Sequence, residues 1–230
     1  MKEHSVLNYI SKVLKNMPSD WLNLTTHRLD IYDEKLAKVQ FLTQFEHLFR
    51  GLNSETSALN ELPTAFDYIR LGHPLSCVLE WVIARVNGLD PNNVISFSSK
   101  TIPVLAILRA NLLEGRNTLI TYSGPWPEAL DLHILKDIYG YSFDLKQVNH
   151  VGDIPEFNGS TIFITQQEDL CTLELSPNID FFITTHPITG SVLSVHGAQN
   201  ERYIADIQHV RRRETIAMTP ANCLATLRLI

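Results

Sequence analysis

The stretch Phe97-Ser98-Ser99-Lys100-Thr101 gathers three hydroxyls and an ammonium within five residues. If it opens a helix it also presents unpaired helix-start amides, and that set suits a phosphate. The same text reads as a plain serine cap with Lys100 in solvent. Upstream, Tyr68 and Arg70 stand two apart in Tyr68-Ile69-Arg70-Leu71-Gly72-His73-Pro74. In an extended segment both side chains point to one side and can clamp one anion; in a surface turn the arginine is solvated. Nine histidines are many for this length, yet none falls at HxH or HExxH spacing, so no metal site is expected. His186 and His196 are expected near the ligand cleft as packed or surface groups. There is no GxSxG, P-loop or GxGxxG, so hydrolase, NTPase and dinucleotide readings lack support.

The elements that must position these residues follow from periodicity. Residues 4–66 are helical in pattern, with Val6, Leu7, Ile10, Val13 and Leu14, then Val39, Leu42, Phe45, Leu48, Phe49 and Leu52 at helical spacing. They form an N-terminal helical arm over 1–66 without a catalytic motif. From Tyr68 the pattern changes. Pro74 opens a helix whose stripe runs Leu75, Val78, Leu79, Val82, Ile83 and Val86, and Gly88 stops it. Strands are expected at 94–97, 118–121, 143–148, 161–165, 181–184 and 191–195. Helices are expected at 102–113, 126–139, 199–213 and 219–229, the last capped by Thr219 with Pro220 at its first position. Strands alternating with amphipathic helices predict an α/β fold with a mostly parallel sheet over 67–230. In such a sheet ligands bind beyond the carboxyl ends of the strands.

Composition bounds the function classes. Of 230 residues, 44% are apolar and 19% charged, which is ordinary for a globular protein and excludes overall disorder. Nineteen basic against 25 acidic residues give a net charge of −6, which argues against a nucleic-acid binder. The one dense basic cluster, Arg211-Arg212-Arg213, reads as solvated charges at a helix end. Three scattered cysteines form neither a disulfide framework nor a zinc site. Neither a signal core nor a membrane span is evident, so the expected setting is cytoplasmic, away from membranes.

Taken in order, these segments resemble the pyridoxal-phosphate enzymes of sulfur amino acid metabolism, the cystathionine synthase and lyase type of fold type I. Those enzymes carry Tyr-x-Arg-x-x-Asn-Pro, then a helix containing "LE", then "FSSG" opening a helix. Here the text is YIRLGHP, VLEWVIARVNGL and ISFSSKTIPVLAILRANLLEG, continued by TLITYSG and DIYGYSFDLKQV. The resemblance covers about 68–150, resumes through IDFFITT, and returns in MTPANCLATLRLI with Thr219, Pro220, Asn222, Leu227 and Arg228 in related places. It implies a large-domain scaffold in which Tyr68 and Arg70 reach the cofactor phosphate of a neighbouring subunit. Ser98, Ser99, Lys100 and Thr101 would form the phosphate loop within the subunit, and Trp126 or Tyr122 would stack on the pyridine.

The departures weigh as much as the matches. The family's Schiff-base lysine falls near Ile183-Thr184-Thr185-His186-Pro187-Ile188-Thr189-Gly190, and no lysine follows Lys146 in this sequence. His186 or Ile188 takes its place, and neither forms an imine. The acid that pairs with the pyridine nitrogen has only Asp169 or Asp180 as substitutes. Lys100 replaces a glycine that lets backbone approach phosphate. The family's C-terminal domain, with its substrate arginine, is expected to be missing. The expectation is therefore a degenerate member, catalytically inactive, with pyridoxal phosphate held non-covalently or lost, working as a homo-oligomer or with an active relative. The alternative is an enzyme of altered chemistry that uses Lys100, His186 and Asp180 on a phosphorylated ligand.

Overall fold

The computed structural model describes residues 2–23, 34–63 and 69–229. Helices α1 (Lys2–Asn16), α2 (Glu34–Arg50) and α3 (Thr56–Asn60) precede α4 (Pro74–Asn87). There follow β1 (Val94–Phe97), α5 (Ile102–Glu114), β2 (Thr118–Tyr122), β3 (Asp144–Gln147), β4 (Ser160–Gln166), β5 (Phe181–His186), β6 (Gly190–Val195), α6 (Tyr203–Glu214) and α7 (Pro220–Leu227). The strands form one sheet in the order β1-β6-β5-β4-β2-β3. Its β5-β4-β2-β3 half is parallel, and β6 runs against both β5 and β1. The α/β expectation holds.

Both faces are covered, which explains the continuous apolar runs in the strands. On one face Val94, Phe163, Phe182 and Val192 pack with α1, α2, α4 and α7. On the other, Ile95, Phe97, Ile162, Ile164, Phe181, Ile183 and Leu193 pack with α5 and α6. The arm joins the first core directly: Tyr9 meets Phe45, Phe49 and Trp81 edge-on, and Phe45 and Phe49 each meet Trp81 so, at centroid distances of 5.0–6.5 Å. Among the described residues no helix is long and apolar enough to cross a membrane.

Two expectations need correction. The helix expected at 126–139 reduces to one π-helical turn, Ile134–Ile138. Pro125 and Pro127 lack N–H groups, and the Asp131 carboxylate accepts from the amides of His133 and Ile134, so helix starts only after Asp131. The second concerns Arg211, which is buried rather than solvated.

Arg211 belongs to a charge network that closes the open edge of β1. With β6 on one side, the N–H and C=O groups of Val94 and Ser96 face outward and need partners. Glu80 of α4 accepts from the Ser96 amide and hydroxyl, both at 2.8 Å. Lys38 of α2 donates to Glu80 at 2.5 Å and to the Val94 carbonyl at 3.1 Å. Arg211 of α6 donates to Glu80 at 3.2 Å, to the Ser96 carbonyl at 3.1 Å and to the Leu71 carbonyl at 2.9 Å. Burial alone would push the Glu80 carboxyl up, but Lys38, Arg211 and the Ser96 amide together hold it below the usual carboxylate range.

Removing one member leaves the others buried and uncompensated. Glu80→Gln is expected to lower folding stability by about 3–5 kcal/mol in a urea titration at pH 7. A loss below about 1 kcal/mol would show that the network is not holding the fold.

Candidate functional site

The carboxyl ends of β1 and β5 meet at the rim where the sequence places its phosphate seat. The rim is held close by Gly190: with φ +135° it starts β6 so near β1 that a Cβ would meet the Phe97 carbonyl oxygen at 2.2 Å. The β5–β6 turn is tied by His186, whose Nδ1 accepts from the amides of Ile188 (3.0 Å) and Thr189 (3.1 Å). Asn222 of α7 fixes the same turn through the Thr189 carbonyl at 3.0 Å. His186 is buried and serves as a turn residue.

The structure brings Ser98, Ser99, Lys100 and Thr101 together here, and each is engaged within the chain. Ser98 Oγ donates to the Ala217 carbonyl at 2.7 Å, and its amide to the Ile216 carbonyl at 3.2 Å. Ser99 Oγ accepts from the amides of Thr101 and Ile102, both at 3.2 Å, and contacts Thr101 Oγ1 at 3.2 Å. It thereby takes the capping role at the start of α5. Pro103 removes a further amide from that first turn. Lys100 Nζ donates to the Pro187 carbonyl at 2.6 Å, bridging the loop to the β5–β6 turn.

The other sequence candidates fall elsewhere. Tyr68 lies outside the described residues. Arg70 sits in a turn rather than an extended segment, and its guanidinium donates to the Arg212 carbonyl at 3.3 Å, at the end of α6. Asp180 precedes β5 and so lies at the amino edge, where it accepts from Thr161 N (2.8 Å), Asn200 (2.6 Å) and Arg116 (3.4 Å). His196 is at that edge too, contrary to expectation, because β6 runs antiparallel and ends there; its amide donates to the Asp180 carbonyl at 2.8 Å. Asp169 follows β4 in an exposed turn, accepting from Cys171 N (2.7 Å) and Thr172 Oγ1 (2.6 Å). Trp126 and Tyr122 pack edge to face at 5.2 Å, with the Trp126 indole donating to the Leu130 carbonyl at 2.5 Å.

Sequence reasoning missed His73. It caps α4 reciprocally: its Nδ1 accepts from Ser76 N (3.1 Å), and Ser76 Oγ accepts from His73 N (3.0 Å). The signal was a polar pair three apart around Pro74, the spacing of a capping box. Its Nε2 contacts the Met218 carbonyl at 2.6 Å, so the neutral ring carries its proton there. Burial lowers His73 to about 4, with the Met218 carbonyl and Glu80 pulling the other way.

No protein-family model and no curated protein matches the chain. Solved structures similar in shape include cystathionine gamma synthase from Xanthomonas oryzae pv. oryzae in complex with aminoacrylate and cysteine. That similarity has 12% identity and a TM-score of 0.47, over 73% of this chain and 53% of that one. An O-acetylhomoserine (thiol)-lyase assignment from Campylobacter jejuni, carrying a pyridoxyl-lysine monophosphate, gives 11% and 0.49 over 96% and 69%. MetB from Corynebacterium glutamicum gives 10% and 0.45 over 96% and 62%. The chain thus spans about half the length of the cystathionine gamma synthase.

His73 sets a pH dependence. The unfolded chain takes up this proton near pH 6.5 and the folded chain only near 4, so the unfolded state binds more protons between those values. Stability is then complete above 6.5 and falls by about 3 kcal/mol as pH drops to 4. In His73→Asn, which keeps a capping oxygen, urea titrations at pH 4.5 and 7 are expected to differ less than in the parent. An unchanged difference would assign the acid sensitivity to another group.

Proposed function

We propose that this chain is a non-catalytic α/β module, akin in shape to the trans-sulfuration enzymes, that acts through association rather than turnover. The observation that carries this reading is the closure of the Ser98–Thr101 loop on its own chain. Three hydroxyls and one ammonium have partners within the protein, and Ser99 occupies two of the amides that would face an anion. Pyridoxal phosphate does not fit such a loop without dismantling the cap of α5. His186, nearest the family's lysine position, cannot form an imine and is held by two turn amides. Asp180, the candidate partner for a pyridine nitrogen, is at the opposite edge of the sheet. That separation also weakens the altered-chemistry reading, which needs Lys100, His186 and Asp180 around one ligand.

On this proposal the working state is a homo-oligomer or a complex with an active relative. Two features support association. Ile188 stands 82% exposed at the tip of the β5–β6 turn, and Arg70 is exposed in the turn before α4. On this reading Ile188 and Arg70 lie at the contact with a second chain.

The test is the absorption spectrum of the purified protein with pyridoxal phosphate, before and after borohydride, followed by peptide mapping. The expected result is no saturable imine band and no adduct at Lys100 above that at other lysines. A stoichiometric reduced adduct at Lys100 would overturn the reading and restore the loop as a live site.

A further inference from the structure

The β5–β6 turn is built around a single acceptor. The two strands close on the pair His186 and Gly190, which leaves Pro187, Ile188 and Thr189 as the loop. One atom inside it, His186 Nδ1, takes both the Ile188 amide at 3.0 Å and the Thr189 amide at 3.1 Å. Two N–H groups converge only on a lone pair, so Nδ1 is unprotonated and the neutral ring carries its proton on Nε2. The arrangement copies an Asx turn, with an imidazole nitrogen in place of a carboxamide oxygen. The substitution matters chemically, because histidine is the side chain whose charge ordinarily changes between about pH 5 and 8.

The remaining tethers of the turn come from its neighbours. Lys100 Nζ donates to the Pro187 carbonyl at 2.6 Å, and Asn222 of α7 donates to the Thr189 carbonyl at 3.0 Å. Thr226 Oγ1 meets Thr189 Oγ1 at 3.4 Å. Beside the turn, Thr185 Oγ1 donates to the Thr165 carbonyl of β4 at 3.2 Å, and Ser191 Oγ of β6 to the Ser99 carbonyl at 2.6 Å. Of these neighbours only Lys100 is charged, and it has the sign of an imidazolium. Among the described residues no carboxylate pairs with His186. The ring is buried, so water does not stand in for a missing counter-charge.

We infer that the β5–β6 turn is a proton-operated latch, closed while His186 is neutral and released when its ring gains a second proton. In the imidazolium both nitrogens are donors, so Nδ1–H would face two amide N–H groups with no acceptor among them. Ring and loop must then part, and the Ile188 and Thr189 amides pass to water. The closed turn binds one proton fewer than the open one, so it is favoured at high pH and lost as pH falls. The released segment carries Ile188 and the carbonyl that holds Lys100, so opening also frees that ammonium. The latch belongs to the single chain and stands whether or not Ile188 meets a second one.

The test is amide solvent exchange, followed by NMR on the full chain at pH 7.5 and pH 5 and corrected for intrinsic rates. Protection at Ile188 and Thr189 is expected to fall about tenfold or more at pH 5, the order set by one lost hydrogen bond. His186→Asn keeps an acceptor that does not titrate and is expected to hold its protection at both pH values. His73 is present in both proteins, so the difference between them belongs to His186. Ring nitrogen shifts in the parent supply a second reading, with the Nε2–H tautomer expected at pH 7.5. Equal protection at the two pH values in the parent overturns the inference. So does a fall that His186→Asn reproduces, or an Nδ1–H tautomer.

Discussion

The structure depends on how the outer edge of β1 is satisfied. An edge strand presents unpaired amides and carbonyls, and β1 is buried along its whole length, so water cannot serve them. Glu80, Lys38 and Arg211 reach that edge from three helices and take the places a seventh strand would fill. The three charges sum to one positive, and the surplus is met by the carbonyl dipoles of Val94, Ser96 and Leu71. Apolar residues could not replace this arrangement, because the edge needs both donors and acceptors. The network also ties the two layers together, since α4 lies on one face of the sheet and α6 on the other.

That closure reaches the rim with the chemical groups. Arg211 joins Leu71 to Ser96, and residues 216–217 continue the edge by pairing with Ser98 on one side and Ile69 on the other. The Arg70 turn and the Ser98–Thr101 loop are thus fixed by one set of bonds. Groups that read as an anion seat are the end of the edge seal: Ser98 extends it, Ser99 caps the helix leaving it, and Lys100 fastens it to the β5–β6 turn. On the function proposed above, these bonds make the rim a structural feature.

The fold was largely legible in the sequence, because period-3.6 and period-2 stripes and the Pro74, Gly88 and Thr219 signals act locally. Ser99 as a cap was legible for the same reason. Other features were not. Glu80 sits in an apolar stripe between Leu79 and Trp81, and its partners lie 42 and 131 residues away. Arg211 is one of three consecutive arginines, and local pattern cannot tell which of them turns inward. The edge occupied by His196 follows from the direction of β6, which alternation of strands and helices does not encode, whereas the place of Asp180 follows from its lying just before β5. The π turn at Ile134–Ile138 escaped because its apolar spacing matches a longer helix that the flanking prolines forbid.

The most direct measurement is native-state hydrogen exchange at the Ser96 amide, which donates to Glu80 at 2.8 Å rather than to a neighbouring strand. The account predicts that it exchanges only by global unfolding, with the same denaturant dependence as the central Ile164 and Ile183 amides. Exchange as fast as that of the amides of β3, the exposed edge on the far side, would contradict it. That result would mean that β1 is an ordinary fraying edge and that the buried charges do not seal it.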